Sequence, residues 1–301
     1  MDPKPGMTYI NGEFVPADRA SLPLMDAGFW LGINVFDVLS ARQGYIFKLA
    51  AHVDRFYRSL HAVRIAIPET REEFGELIVE TVRRSGLADA YIQTIATRGL
   101  RADGPISDWP PTVIINAVPY FEIVAPEVAA RGLRIRISSV RNVPIQSVDA
   151  KIKTFNRLHS YLARLDALDA GADDAILLDL DGYVTEGRGA NVFIIRGGQL
   201  FTPPEGLLEG ITRETVFELA AQEGLPASER RLTPYDLYNA DEVFYCTTAG
   251  GIMPIVEVDR RRVGDGRPGA LTQRLRDAYW TAHVSGPDAT PVEALAAVGA
   301  T

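Results

Sequence analysis

Two charged side chains have types and a spacing that could do chemistry together. Lys153 is one of only four lysines in the chain and stands where a polar loop meets an amphipathic stretch. Glu186 follows 33 residues later, at the end of a strand pattern and directly before Gly187-Arg188-Gly189. A primary amine can act as a nucleophile and then as a base, and a fixed carboxylate can stabilise a proton on a neighbouring ring. Taken alone, each residue could equally be a solvated charge.

Two glycine-containing runs further along the chain could bind a phosphate group. In GITRETVFELAAQ, a glycine and a threonine lead straight into a helix pattern, whose first N–H groups and positive dipole end suit an anion. In CTTAGGIMP, two hydroxyls and two glycines end a strand, although an ordinary glycine-rich turn has the same composition. An amine, a carboxylate and a phosphate cradle are together the parts that pyridoxal phosphate requires.

Other catalytic chemistries find no support in the sequence. The dinucleotide-binding, P-loop, zinc-protease and nucleophile-elbow motifs are absent, and the four histidines are scattered. The single cysteine, Cys246, excludes an internal disulfide and provides no metal cluster. The stretch from Asp179 to Glu186 lacks the spacing of a calcium loop, so no metal is predicted.

Composition excludes some partners. The chain has 301 residues, a net charge of −8 and no run rich in lysine or arginine, which argues against nucleic acid. No apolar run approaches the roughly 18 residues of a membrane span, and the N-terminus carries no secretory signal pattern. We therefore expect a cytoplasmic protein that binds neither nucleic acid nor membrane.

Hydrophobic periodicity predicts two domains. We expect an α+β domain over 1–119, an interdomain linker over 120–132, a second domain over 133–284 and a loose tail over 285–301. In the second domain, Asp181-Gly182 predicts a type I′ turn, and the glycines after Glu186 predict a bend or a close approach. The predicted strands are 9–15 around a turn, 35–40, 45–47, 91–98, 112–118, 133–140, 175–180, 183–185, 191–195 and 242–246; the predicted helices are 49–63, 71–85, 154–170, 212–223 and 271–283.

From about Met7 to His283 the chain resembles the class IV (fold type IV) aminotransferases. The matching runs are FWLGINVFDVLSARQGYIFKLAAHVDRF, YIQTIATRGL, KTFN, GYVTEGRGANVF, LLEGITRETV and CTTAGGIMPI. The resemblance implies a two-domain fold like that of D-amino acid aminotransferase, with a small N-terminal α+β domain and a larger C-terminal pseudo-barrel domain. It also implies pyridoxal 5′-phosphate as cofactor and a homodimer as the assembly.

The resemblance implies a role for each residue of the cofactor site. Lys153 would form the Schiff base and shuttle the proton in a ping-pong reaction, and Glu186 would accept the pyridine N–H. Leu208 would pack on the pyridine ring. The residues implied at the phosphate are Arg55, the backbone N–H groups of Ile211 and Thr212, and the hydroxyl of Thr248, with Thr247 beside it.

Within the family, CTTAGGIMP and the spacing from Lys153 to Glu186 look most like the (R)-selective amine transaminases, which implies transfer from a primary amine to pyruvate. A D-amino acid transaminase, a branched-chain amino acid transaminase and an aminodeoxychorismate lyase remain alternatives. The branched-chain enzymes usually carry Tyr-Ile-Arg where Tyr91-Ile92-Gln93 stands here. Arg98 or Arg101 could bind a substrate carboxylate. The candidate residues of the substrate pocket are Phe36, Val38, Ser40, Tyr91, Gln93, Arg98, Arg101, Thr247 and Ala249.

Overall fold

The computed structural model describes residues 6–293, which divide into two compact units. Residues 6–121, 152–156 and 282–293 belong to the first unit, and residues 122–151 and 157–281 to the second. This division differs from the predicted domain boundaries of 119, 133 and 284. Two segments that are distant in sequence, around Lys153 and after Thr281, pack with the first unit. No local sequence pattern predicts this long-range packing.

Residues 6–293 form sixteen strands and eight α-helices. The strands are β1 (Met7–Ile10), β2 (Glu13–Pro16), β3 (Asn34–Arg42), β4 (Tyr45–Phe47), β5 (Ala90–Thr97), β6 (Thr112–Pro119), β7 (Leu133–Arg141), β8 (Asp174–Leu178), β9 (Val184–Gly187), β10 (Asn191–Arg196), β11 (Gln199–Thr202), β12 (Ala227–Glu229), β13 (Glu242–Thr247), β14 (Gly251–Val258), β15 (Arg261–Arg262) and β16 (Ala289–Pro291). The helices are α1 (Ala27–Trp30), α2 (Leu49–Ala62), α3 (Arg71–Ser85), α4 (Pro126–Arg131), α5 (Leu158–Asp169), α6 (Ile211–Gln222), α7 (Pro234–Tyr238) and α8 (Ala270–Ser285).

The first unit is built on a seven-stranded antiparallel sheet in the order β16-β4-β3-β5-β6-β1-β2. Helices α2 and α3 cover one face, where Val35 and Leu39 of β3 meet Phe56 and Phe74 in a buried core. Successive side chains of a strand point to opposite faces, so Phe36 and the alternate residues after it lie on the other face. This unit is the predicted α+β domain.

The second unit contains a nine-stranded mixed sheet in the order β12-β11-β10-β13-β14-β7-β8-β9, with β15 beside β14. Strand β7 runs parallel to both of its neighbours, β14 and β8, and β11 runs parallel to β12. The other neighbouring pairs of this row are antiparallel. Helix α5 packs on β7 and β8 through Ala163 and Ala167. The sheet is curled into a half-barrel, which agrees with the predicted pseudo-barrel domain.

Several predicted elements change their bounds or type. The helix expected from Thr154 begins only at Leu158, because residues 152–156 lie beside β3: the backbone N–H of Phe36 donates to the Lys153 carbonyl at 2.9 Å. The predicted loose tail contains β16, which pairs with β4, while residues 294–301 lie outside the described residues. The predicted linker contains helix α4.

The type I′ turn predicted at Asp181-Gly182 is wrong. Such a turn needs positive φ at both central residues, but only Gly182 has it, with φ of 89°. Asp179 organises the loop instead, because its carboxylate accepts from the backbone N–H groups of Asp181 and Tyr183 at 3.0 and 2.8 Å.

No helix within residues 6–293 has both the length and the apolar character needed to cross a membrane.

Candidate active site

The backbone of Lys153 is fixed on both sides. Its N–H donates to Ser59 Oγ at 3.3 Å, and its carbonyl accepts from Phe36 of β3 at 2.9 Å. Its ammonium nitrogen Nζ lies 4.7 Å from the centroid of the Phe36 ring, which itself stacks on Phe155. Lys151, the other lysine nearby, pairs with Asp149 on the surface at 3.3 Å. The two lysines therefore have different surroundings, and the amine of Lys153 is the one held against the sheet.

Arg55 of α2 is locked onto a buried carboxylate. Its Nε and Nη2 donate to the two oxygens of Asp37 at 2.8 and 2.7 Å, and His52 Nδ1 lies 2.8 Å from Asp37 Oδ1. Burial by itself would raise the pKa of Asp37, but the Arg55 and His52 groups hold that pKa well below its usual range. The carboxylate is therefore ionised, and it fixes the plane of the guanidinium.

His52 is a neutral hydrogen-bond donor in this cluster. Burial lowers the pKa of His52, and the positive charges of Arg55 and Lys153 add to that effect, although Asp37 opposes it. Because ionised Asp37 can only accept, Nδ1 of His52 carries the proton. Asp37 and His52 were not predicted as site residues. The available signal was the spacing of His52 and Arg55, three residues apart on one helix face.

Five of the predicted pocket residues share the sheet face opposite α2 and α3. Phe36, Val38 and Ser40 alternate along β3, and the strand register pairs Val38 with Gln93 and Ser40 with Tyr91. These five side chains form a row that begins at the Phe36 ring, against which Lys153 Nζ lies. The row becomes more polar with distance from Phe36. The structure thus brings these five side chains together on a single surface of the first unit.

Ser40 is covered at the polar end of that row. Its Oγ lies 2.9 Å from Nε2 of His283, whose ring stacks on Phe47 with centroids 4.9 Å apart. Ser40 and His283 are both almost fully buried. Burial lowers the pKa of His283 to about 3, so this imidazole is neutral.

The two arginines proposed for carboxylate binding differ in environment. Arg98 is buried, and its guanidinium donates to the carbonyls of Arg64 and Trp109 at 2.9 and 2.8 Å. Arg101 lies exposed in the following loop. Arg98 therefore ties two backbone segments together, whereas Arg101 is accessible to solvent.

In the second unit, Glu186 and Leu208 lie together as a pair. Glu186 is on β9, and its Oε2 accepts from the backbone N–H of Leu208 at 3.2 Å. Asn191, the first residue of β10, donates from Nδ2 to the Leu208 carbonyl at 2.9 Å. The Leu208 residue is thus held at both its N–H and its carbonyl by side chains from two different strands. Asn191 was not predicted, because at the start of a strand it has no distinguishing pattern.

The run after Leu208 leads into the N-terminus of α6. Gly210 occupies the N-cap position, and within the described residues no side chain caps this helix. A Cβ atom at Gly210 would lie 2.0 Å from Asn191 Oδ1, so a larger residue here would force the Asn191 amide to shift. Ile211 and Thr212 form the first, buried turn of the helix, where backbone N–H groups suit an anion.

Thr247, Thr248 and Ala249 lie where β13 turns into β14. Thr247 ends β13 opposite Gly251, and the Ala249 carbonyl accepts from the backbone N–H of Ile123 at 3.0 Å. Gly251 has φ of 63°, and a Cβ atom there would lie 2.7 Å from the indole of Trp280. The glycines allow this tight connection, which begins with the two threonines.

Of the two glycines around Arg188, Gly187 is required by space. Neither Gly187 nor Gly189 has positive φ, but a Cβ atom at Gly187 would lie 2.6 Å from the ring of Tyr245. Close approach is therefore the reason for Gly187, one of the two explanations that the sequence left open. Arg188 itself forms an ion pair with buried Asp174 at 3.2 Å.

Comparisons with known proteins show the family of the chain. Residues 34–258 match the family model for class IV amino-transferases. The chain is 39% identical to a putative branched-chain-amino-acid aminotransferase of Methanocaldococcus jannaschii, over 90% of this chain and 94% of that protein. It is 36% identical to the branched-chain-amino-acid aminotransferase of Pseudomonas aeruginosa, over 93% and 94% of the two chains.

Solved structures give the same result. The branched-chain amino acid aminotransferase of Thermobaculum terrenum, in its holo form with PLP, superposes with a TM-score of 0.87 at 30% identity, covering 97% of this chain and 99% of that one. The Escherichia coli branched-chain amino acid aminotransferase gives a TM-score of 0.92 at 29% identity, covering 96% and 100%.

Proposed function

Because this chain belongs to the class IV aminotransferases, which have the fold type IV architecture and use pyridoxal phosphate, we propose that it transfers the amino group of branched-chain amino acids to a keto acid. The proposal rests on the names of the relatives, because these proteins are similar to nearly the whole chain. They favour the branched-chain alternative over the (R)-amine:pyruvate reaction, which rested on short runs and one spacing.

The donor groups fit the cofactor. Within the described residues no side chain caps the start of α6, and a Cβ atom at Gly210 would lie 2.0 Å from Asn191 Oδ1. In the second unit this leaves backbone N–H groups and Thr248 for the phosphate, and Arg55 is the candidate that the first unit offers. Leu208 would lie against the pyridine ring, and Thr247 would flank the phosphate.

Two residues would carry the chemistry. Pyridoxal phosphate supplies an electron sink for the charge that develops at the substrate carbon. Lys153 would hold the cofactor through its primary amine and, when that amine is free, would take up the proton from the substrate carbon. Glu186 would accept the N–H of the pyridine ring and so keep that nitrogen protonated.

The sheet face beside Lys153 supports an aliphatic substrate. Phe36 and Val38 form the nearer part of the five-residue row, and an apolar wall suits a branched aliphatic side chain. Gln93 and Tyr91 lie further along and would contact the more distant part of the substrate. Arg101 and Ala249 stay candidates for the substrate carboxylate and the pocket wall.

We also propose a homodimer. Helix α5 exposes apolar side chains at helical spacing, among them Leu158 at 70% and Tyr161 at 57% exposure, followed by Leu162, Leu165 and Leu168. In the first unit, Leu24 and Phe29 are exposed to a similar degree. Large exposed apolar patches are typical of interfaces, and a two-fold dimer buries the same patch on both copies.

The predicted (R)-selectivity and cytoplasmic location stay predictions.

Half-reaction spectroscopy tests the substrate proposal. The holoenzyme would be mixed in turn with L-leucine, D-alanine and (R)-1-phenylethylamine, and loss of the visible absorbance of the lysine-bound cofactor would be followed. We expect L-leucine to bleach this band much faster than the other two amines. Fast bleaching by only (R)-1-phenylethylamine would restore the amine reaction. Pyruvate released from aminodeoxychorismate without a keto acid acceptor would instead indicate a lyase.

A further inference from the structure

We propose that Asn191 is a positioning residue that couples the ring-binding part of the proposed cofactor site to its phosphate-binding part. This inference rests on the proposed function and assigns a role to a residue that the sequence did not single out. Asn191 is 5% exposed and stands at the first position of β10, between the strand of Glu186 and the segment that leads into α6.

The first observation is a clamp on Leu208. Asn191 Nδ2 donates to the Leu208 carbonyl at 2.9 Å, while Glu186 Oε2 accepts from the Leu208 N–H at 3.2 Å. Because both backbone polar groups of Leu208 are used, this residue cannot move without breaking a partly buried hydrogen bond. Asn191 therefore fixes Leu208 relative to the carboxylate that is proposed to hold the pyridine nitrogen.

The second observation concerns the other end of the same amide. A Cβ atom at Gly210 would lie only 2.0 Å from Asn191 Oδ1. The side chain thus lies directly against the N-cap residue of α6, whose first turn contains Ile211 and Thr212. One amide group therefore contacts both Leu208, at the proposed ring site, and Gly210, at the start of the proposed phosphate site.

A third connection runs through the backbone. Asn191 pairs with Cys246 in the ladder between β10 and β13, next to Thr247. The residue is thereby anchored to the strand that ends in the threonine loop. A rigid ligand gains most when the groups that bind its two ends are held at a fixed spacing. Asn191 is placed to hold that spacing for a ring with a phosphate on one side.

Comparing two ligands tests this coupling. Pyridoxal phosphate and pyridoxal share the ring, but only the first has a phosphate. The dissociation constant of pyridoxal divided by that of pyridoxal phosphate therefore reports how well both parts are used together. The full-length chain, freed of cofactor, would be dialysed to equilibrium against each ligand. In N191D, where a carboxylate replaces the donor, and in N191A, we expect this ratio to fall about tenfold, the loss of roughly one hydrogen bond.

The matched control is N239D. Asn239 belongs to the same unit and also donates to a carbonyl, that of Tyr235 at 2.8 Å, but it is exposed at the end of α7. We expect N239D to keep the wild-type ratio. G210A provides a second route should the Asn191 variants fold poorly, because its methyl group would push against the same amide and should also lower the ratio.

The outcomes separate this inference from the proposed function. An unchanged ratio in N191D, N191A and G210A, or an equal loss of affinity for both ligands, would overturn the role of Asn191 and leave the aminotransferase intact. A wild-type chain that binds neither ligand, or that binds both equally, would instead contradict the proposed cofactor site.

Discussion

Arg188 Nε lies 3.2 Å from Asp174 Oδ1, which joins the turn after Glu186 to the first residue of β8. Asp174 is almost fully buried, and Arg164 approaches the same oxygen at 3.5 Å. Arg157 also donates to the Arg188 carbonyl. From the local sequence alone, Arg188 would be a surface charge. In the structure it anchors the turn that follows Glu186.

Replacing Arg188 by methionine should destabilise the fold. R188M would leave Asp174 with fewer cationic partners in a buried position, so we expect the free energy of unfolding to fall by about 1–3 kcal/mol. Urea unfolding measures this loss, and R188K should recover part of it. R196M is the control, because Arg196 is exposed at the end of β10. Equal unfolding midpoints for R188M and R196M would contradict the anchoring role.

Lys153→Ala should abolish both cofactor attachment and turnover. Lys153 is the lysine whose amine is held against Phe36 on the candidate substrate face, while Lys151 pairs with Asp149 on the surface. The visible absorbance of the lysine-bound cofactor should disappear in K153A and persist in K151A. A K153A variant that keeps this absorbance and its activity would refute the assignment.

Much of this architecture follows from local patterns. The helix predicted over 71–85 is α3, and Thr70 and Glu73 form both hydrogen bonds of a capping box at its start. The strand predicted over 35–40 lies within β3, and its alternation places Val35 and Leu39 in the core. These elements were predictable because each depends on residues within one or two turns of the chain.

The long-range features were not predictable in this way. Strand β16 joins the sheet only because β4 has an open edge, and the placement of Lys153 depends on hydrogen bonds to β3, more than 100 residues away. Asn191 and Asp37 begin or continue ordinary strand patterns, and only tertiary contacts give them a role. The substrate preference was harder still, because the Tyr91–Gln93 run pointed away from the relatives of the whole chain.

Glu186→Gln should slow catalysis without removing the cofactor. The amide keeps an acceptor near the Leu208 N–H but cannot stabilise a proton on the pyridine nitrogen, so we expect kcat to fall by about 10²–10³. Steady-state transamination of L-leucine measures the rate, and the visible spectrum measures occupancy. E127Q, on the exposed helix α4, should match the wild type. A fully active E186Q enzyme would exclude this role for the carboxylate.

Two substitutions of His52 distinguish its hydrogen bond from its ring. In H52N the side-chain amide can still donate to Asp37, whereas H52L removes the donor and leaves the buried carboxylate less satisfied. We therefore expect H52L to lose about 1–3 kcal/mol of stability in urea and H52N to lose less. Because Asp37 orients Arg55, H52L should also require more pyridoxal phosphate for half-saturation. Identical behaviour of the two variants would argue against the Asp37 contact.

Buried His283 should make stability fall with acidity. Its folded pKa of about 3 lies below the ordinary value of 6.5, so the unfolded chain takes up a proton that the folded chain refuses. The stabilisation is complete above pH 6.5 and is lost as the pH falls toward 3, with a slope of about 1.4 kcal/mol per pH unit. H283Q keeps an amide nitrogen near Ser40 but cannot titrate, so its free energy of unfolding should fall less steeply. Urea unfolding at pH 7.5, 6.5 and 5.5 compares the slopes, and parallel slopes for the two proteins would show that His283 does not control this dependence.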